Sequence, residues 1–156
     1  MIVVSNTSPI IILYYDQLLD IFEKLFGTIY IPPAVFNELT IHASNEQLRA
    51  TIKNCPFIKL NSLDIPIPDL HHRLDKGEIE ALTLAQQLNA DLLILDDKRA
   101  QKEADLLTIP YVSSFALLVK AHQKGFVPDL QQVLHQLEEQ QILLNKELKD
   151  FLGFLP

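Results

Sequence analysis

Two short runs, Ile2–Val4 and Leu92–Leu95, hold only aliphatic residues, and each gives way at once to polar ones. A strand with one wet face alternates apolar and polar residues, whereas an unbroken apolar run reads as a strand buried on both faces, the habit of parallel sheets. Thr28–Ile31 alternates and is rich in β-branched residues, and Phe57–Leu60 and Ile109–Val112 are similar, which makes five expected strands. Helical spacing fills the intervals. The first helix runs from Ile10 to about Tyr15, with Pro9 in its opening turn, where a missing N–H costs nothing. Asp16 caps a helix over Gln17–Phe26, which Gly27 ends. Pro32-Pro33 starts a helix over 34–40, and Asn45 to Asn54 is another. Helices follow over 78–88, 98–107, 115–124, 129–140 and 145–152, with 64–69 a proline-bearing loop. Strands alternating with helices predict an α/β fold, a parallel sheet covered on both faces.

The 156 residues, 48% of them hydrophobic, predict a single domain over 1–156. A net charge of −7 excludes a broad basic footprint for nonspecific nucleic-acid binding. It leaves room for a local basic rim, for which Lys98, Arg99 and Lys102 are candidates; solvated surface cations are the equal alternative. One cysteine, Cys55, rules out an internal disulfide and is read as an inert thiol. No apolar stretch reaches the ~18–20 residues of a membrane span. With no basic leader in view, the chain is expected to be soluble and cytoplasmic.

Acids and amides stand where these elements end. Asn6 follows the first strand, Glu38 lies on the helix after Pro32-Pro33, Glu78 and Glu80 open the helix after Gly77, and Asp96-Asp97 end the run Leu92–Leu95. In an open α/β sheet the carboxyl ends of strands meet at one crevice, so these residues can converge. Converging carboxylates repel one another unless a cation or shared protons compensate, which points to a hard divalent metal, Mg²⁺ or Mn²⁺.

Ser5-Asn6-Thr7-Ser8-Pro9, Ile31-Pro32-Pro33-Ala34-Val35 leading to Glu38-Leu39, Gly77-Glu78-Ile79-Glu80-Ala81, Leu93-Ile94-Leu95-Asp96-Asp97, and Lys120-Ala121 with Lys124-Gly125 carry a resemblance. In their order and spacing, over roughly residues 2 to 150, the chain resembles the PIN-domain nucleases, and most of all their compact prokaryotic group. The resemblance implies a three-layer α/β/α fold with an acidic groove at one sheet edge and metal-dependent cleavage of RNA. It also implies a toxin-like role with a small antitoxin as partner, and a homodimer.

Carried over residue by residue, the resemblance sets Asn6 where the family has its first aspartate. Asn6 offers a metal its carbonyl oxygen but no charge; capping of the following helix is the equal alternative. Ser8 matches a site hydroxyl, while Thr7 is read as structural. Glu38 matches the second acid, against the ordinary fate of an exposed helical Glu. Glu78 and Glu80 cannot both face one site from a regular helix, since positions i and i+2 lie about 200° apart; Glu78 is favoured as the third acid, and the family's paired pattern keeps Glu80 as a further candidate site acid. Of Asp96 and Asp97, one is expected to cap and one to bind metal. Lys98 and Arg99 are candidates for substrate phosphate, and Ser113 and Ser114 for the far side of the groove or simply for turn hydroxyls.

The five histidines, His42, His71, His72, His122 and His135, show no metal-binding spacing and are expected at the surface or at caps. No glycine-rich phosphate loop and no G-x-S-x-G elbow is present. Three other readings compete. One is a PIN-like module without catalysis that binds RNA or a protein, which Asn6 supports. Another is a doubly wound phosphotransfer or nucleotide-binding domain. The last is a structural partner dimerising through Val133, Leu134 and Leu137.

Overall fold

The structure, a computed structural model, describes residues 1–139. Five strands form one sheet: β1 (Val3–Ser5), β2 (Ile29–Ile31), β3 (Ile58–Leu60), β4 (Leu92–Ile94) and β5 (Tyr111–Val112), in the order β3-β2-β1-β4-β5. Every pairing is parallel, with Val3, Val4 and Ser5 opposite Leu92, Leu93 and Ile94. The helices among the described residues are α1 (Thr7–Tyr15), α2 (Ile21–Phe26), α3 (Pro33–Thr40), α4 (Glu46–Lys53), α5 (Lys76–Gln87), α6 (Lys98–Leu106), α7 (Ser114–Gln123) and α8 (Leu130–Glu139).

Strand alternation divides the core into two layers. Val3, Ile29, Ile31 and Ile94 face one layer, to which α1, α2, α3, α4, α7 and α8 contribute. Val4, Leu93 and Leu95 face the other, covered by α5 and α6. These strand residues are fully buried, each contributing roughly 1.5–3 kcal/mol of hydrophobic stabilisation. The result is the expected three-layer α/β/α sandwich. Its apolar runs are wholly apolar because both faces of the central strands are dry.

Some boundaries differ from expectation. The helix expected over Gln17–Phe26 starts only at Ile21, because Gln17 takes a positive φ of 58° that turns the chain after α1. Asp16 therefore ends α1 instead of capping α2, and its buried carboxylate oxygens have no hydrogen-bond partner among the described residues. Helix α5 begins before Gly77, not after it, because Asp75 caps it by accepting the Glu78 N–H at 2.8 Å. Leu134 and Leu137, expected in one reading to dimerise the chain, are fully buried in its own core. The expected helix over 145–152 lies outside the described residues. Among the described residues no helix is long and apolar enough to cross a membrane.

The topology has one consequence for function. From β1 the chain steps outward through β2 to β3, then returns to lay β4 on the other side of β1. The connections leaving β1 and β4 therefore diverge and leave a crevice at their carboxyl ends, the position where open α/β sheets bind ligands.

Candidate active site

A cleft of about 470 Å³ opens at that switch point, lined by Asn6, Thr7, Ser8, Glu38, Asp75, Glu78, Asp96, Asp97, Lys98 and Arg99. Asn6 leaves β1, and its N–H donates to the Ile94 carbonyl of β4 at 3.1 Å, which holds the two strand ends together. Asn6 occupies the N-cap position of α1 with extended backbone, yet its side chain makes no capping hydrogen bond. Its Oδ1 is buried and has no hydrogen-bond partner among the described residues. A buried polar oxygen left unpaired costs on the order of 1–3 kcal/mol, so this arrangement makes sense if a ligand supplies the missing partner.

Glu38 comes from the middle of α3, whose start is set by Pro33 in its first turn. The Thr7 hydroxyl donates to Glu38 Oε2. On another side stands Gly77, where a Cβ would lie 2.8 Å from Glu38 Oε1. Glycine in the first turn of α5 is thus a steric requirement of the cleft.

Glu78 lies in the first turn of α5 and is 9% exposed. Burial pushes its carboxyl up to about 8, with the hydrogen bond and charge of Asp75 and the charge of Asp97 adding in the same direction. Glu80, expected as a further site acid, is not among the lining residues. It is buried, and its Oε1 accepts the Ala34 N–H at 3.0 Å, capping the start of α3. The i, i+2 geometry separates the two glutamates as expected: one faces the cleft, and the other joins α5 to the helix that carries Glu38.

Asp96 and Asp97 both reach the cleft, each already engaged. Asp96 Oδ1 accepts the Ser114 N–H at 2.7 Å and its Oδ2 the Ser114 hydroxyl at 2.5 Å. Asp97 caps α6, accepting the Ala100 N–H at 3.0 Å. Ser113 caps α7 through Ala116 at 3.2 Å, so the two serines act behind the cleft instead of lining it. Ser8, Lys98 and Arg99 line the cleft and are exposed at its mouth. Lys102 is exposed but is not a lining residue.

Two lining residues, Asp75 and Thr7, and Gly77 beside Glu38 escaped sequence reasoning. Thr7 was expected to be structural, and Gly77 only to stand before the helix that Glu78 opens. A signal for Asp75 was present: Asp75-x-x-Glu78 has the spacing of a capping box, which brings the two acids together. The histidines lie at the surface as expected, with only His72 half-buried. His71 and His72 donate their backbone N–H groups to Oε1 of Glu103, each at 2.6 Å, and Nδ1 of His72 lies 2.7 Å from the same oxygen. Cys55 is half-buried, and burial pushes its thiol up, in keeping with an inert group.

The donors around the cleft are all oxygens, the set that hard divalent cations take, and the unpaired Asn6 Oδ1 fits such an ion. Among the described residues, however, no three His, Cys, Asp or Glu side chains stand close enough together to hold a metal ion by themselves. Glu38, Asp96 and Asp97 are each turned to a partner of the protein's own. Binding therefore requires Asn6 as a ligand, or rotation of carboxylates away from these partners.

A parallel five-stranded sheet whose central switch point opens into a carboxylate-lined cleft defines a three-layer α/β/α domain of PIN-like architecture. The chain belongs to the PIN-domain family: the family model DUF3368, a PIN domain, matches residues 2–152. The PIN domain is generally a metal-dependent nuclease fold. Among solved structures the chain is similar to a PilT N-terminus domain protein from the hyperthermophilic archaeon Sulfolobus solfataricus P2. That match has 19% identity and a TM-score of 0.54, and covers 78% of this chain and 93% of the other. At that identity the likeness shows the fold. No curated protein matches the chain.

Proposed function

We propose that this chain is a metal-dependent ribonuclease of the PIN-domain type. The observation that carries the reading is the buried Oδ1 of Asn6, without a hydrogen-bond partner among the described residues, in a cleft that Glu38, Asp75, Glu78, Asp96 and Asp97 also line. The all-oxygen donor set suits Mg²⁺ or Mn²⁺. Asn6, Glu38, Glu78, Asp96 and Asp97 are the residues that would hold it. When bound, the cation supplies Lewis-acid polarisation of the phosphoryl group and acidification of the attacking water. Lys98 and Arg99 at the mouth bind the substrate phosphate as charged donors, and Ser8 offers its hydroxyl to the attacking water. Thr7 and the bare Cα of Gly77 orient Glu38, while Ser114 orients Asp96. Glu80 has no part in the chemistry of this reading, since its carboxylate serves α3.

The resemblance to compact prokaryotic PIN proteins supports a toxin role in the cytoplasm, with a small antitoxin as partner and a homodimer as the working form. A second reading is a catalytically weakened PIN-like module that binds RNA or a protein. Its support is the neutral Asn6 together with the lack, among the described residues, of three clustered metal-binding side chains.

The test is cleavage of a fluorescent mixed-sequence RNA in Mn²⁺ or Mg²⁺, beside a Glu38→Gln/Glu78→Gln variant. Cleavage that needs metal and disappears in the variant upholds the ribonuclease. Equal signals from both proteins, with no metal binding, move the assignment to the second reading.

A further inference from the structure

Five cations lie on the elements that border the cleft. Lys98 and Arg99 stand at its mouth, Lys102 follows on α6, Lys76 opens α5, and Arg73 lies in the loop before it. All five are exposed, and none is in an ion pair among the described residues.

The loop is also fixed in place. Gln87 on α5 accepts the Asp64 N–H at 2.7 Å and donates to the Ser62 carbonyl at 2.9 Å. Farther along, the fully buried Glu103 of α6 accepts the amides of His71 and His72. Burying a carboxylate is costly unless donors surround it. Here the donors come from the loop, so that Arg73 is held beside α6 directly after the pin. The cleft itself presents five carboxyl groups, and those that are ionised repel phosphate, so a polyanion that enters it needs compensating cations alongside.

We propose that Arg73, Lys76 and Lys102 extend the cleft-mouth cations Lys98 and Arg99 into a track for the phosphate backbone of an RNA strand, which leaves the cleft along the pinned loop and α6. The proposal rests on the nucleic-acid reading of the cleft and adds where the strand runs. Phosphate contacts by Lys and Arg release counterions, so each contact contributes about 0.7 to the slope of log affinity against log salt for a single strand.

The experiment measures binding of a fluorescent mixed-sequence RNA oligonucleotide to the full chain in EDTA, across a salt series, by anisotropy. Without metal the acidic cleft contributes repulsion, and the track supplies the attraction. The Arg73→Ala/Lys102→Ala variant is expected to lower the slope by about 1.4, two contacts at about 0.7 each. A Lys53→Ala/Lys59→Ala variant removes the same charge from exposed positions on α4 and β3 and is expected to keep the wild-type slope. An unchanged slope in the first variant, an equal fall in the second, or no RNA binding at low salt would overturn the track. Competition by polyglutamate as effective as by unlabelled RNA would overturn the assignment to nucleic acid. Cleavage in Mn²⁺ is scored separately. Cleavage with an unchanged slope sinks the track alone, and a lowered slope without cleavage sinks the ribonuclease reading alone.

Discussion

Gly77 faces Glu38 so closely that a methyl group on residue 77 would stand 2.8 Å from the Glu38 carboxylate. Two residues from different helices thus share one small space, and the glycine leaves that space to the acid. Thr7 completes the arrangement by donating its hydroxyl to the other Glu38 oxygen.

The Gly77→Ala variant separates site geometry from stability. Alanine in a helical turn is favoured over glycine by roughly 0.5–1 kcal/mol, and the atom it meets is the mobile end of a glutamate. The protein is expected to fold as well as wild type or slightly better, while Glu38 is pushed aside and Mn²⁺ affinity falls. Thermal melts beside a Mn²⁺ titration check this; a lower melting temperature with unchanged metal binding would contradict it.

Asn6→Asp restores a charge where the resemblance sets an aspartate. Mn²⁺ affinity is expected to rise roughly tenfold, about 1.4 kcal/mol, and metal-free stability to fall as another charge joins an acidic cleft. Calorimetric titration measures the first effect and a melt in EDTA the second. Unchanged or weaker binding would count against Asn6 as a ligand.

Glu78 predicts a pH dependence with a definite sign. Its carboxyl is raised in the folded chain from 4.5 to about 8, by burial first and Asp75 next. Between those values the unfolded chain has lost a proton that the folded chain keeps. Its contribution to metal-free stability is therefore full below about 4.5 and is lost as the pH rises to about 8. Glu78→Gln is expected to flatten that decline in melting temperature measured in EDTA. Metal binding, which needs the carboxylate, is expected to strengthen over the same range in the wild type.

Glu103 is expected to be the most sensitive position outside the cleft. Burial pushes its carboxyl up, but the hydrogen bonds from His72 and the two amides outweigh burial and hold it below its ordinary value. Glu103→Ala would leave the His71 and His72 amides without their acceptor and is expected to cost about 2–4 kcal/mol. Urea denaturation reads this directly, and a loss under about 1 kcal/mol would show that water replaces the carboxylate.

Much of the molecule was legible in the chain. The apolar runs Ile2–Val4 and Leu92–Leu95 specify buried parallel strands, because only a strand dry on both faces tolerates no polar residue. Their polar ends, Asn6 and Asp96-Asp97, marked the crevice, since strand ends at the switch point of an α/β sheet meet there. Helical geometry alone separated Glu78 from Glu80.

Other features were decided by tertiary structure. That Glu80 caps α3, that Thr7 and Gly77 position Glu38, and that Glu103 pins the loop at His71 and His72 are contacts between residues far apart in sequence. No periodicity encodes such pairs. Local sequence sets which face of a helix a side chain occupies, whereas the partner it meets depends on how the helices dock. Asn6 shows the difference most plainly. The sequence left capping and site lining equally open. The packing of β1 against β4 buried its amide oxygen, which makes no cap on α1 and has no hydrogen-bond partner among the described residues.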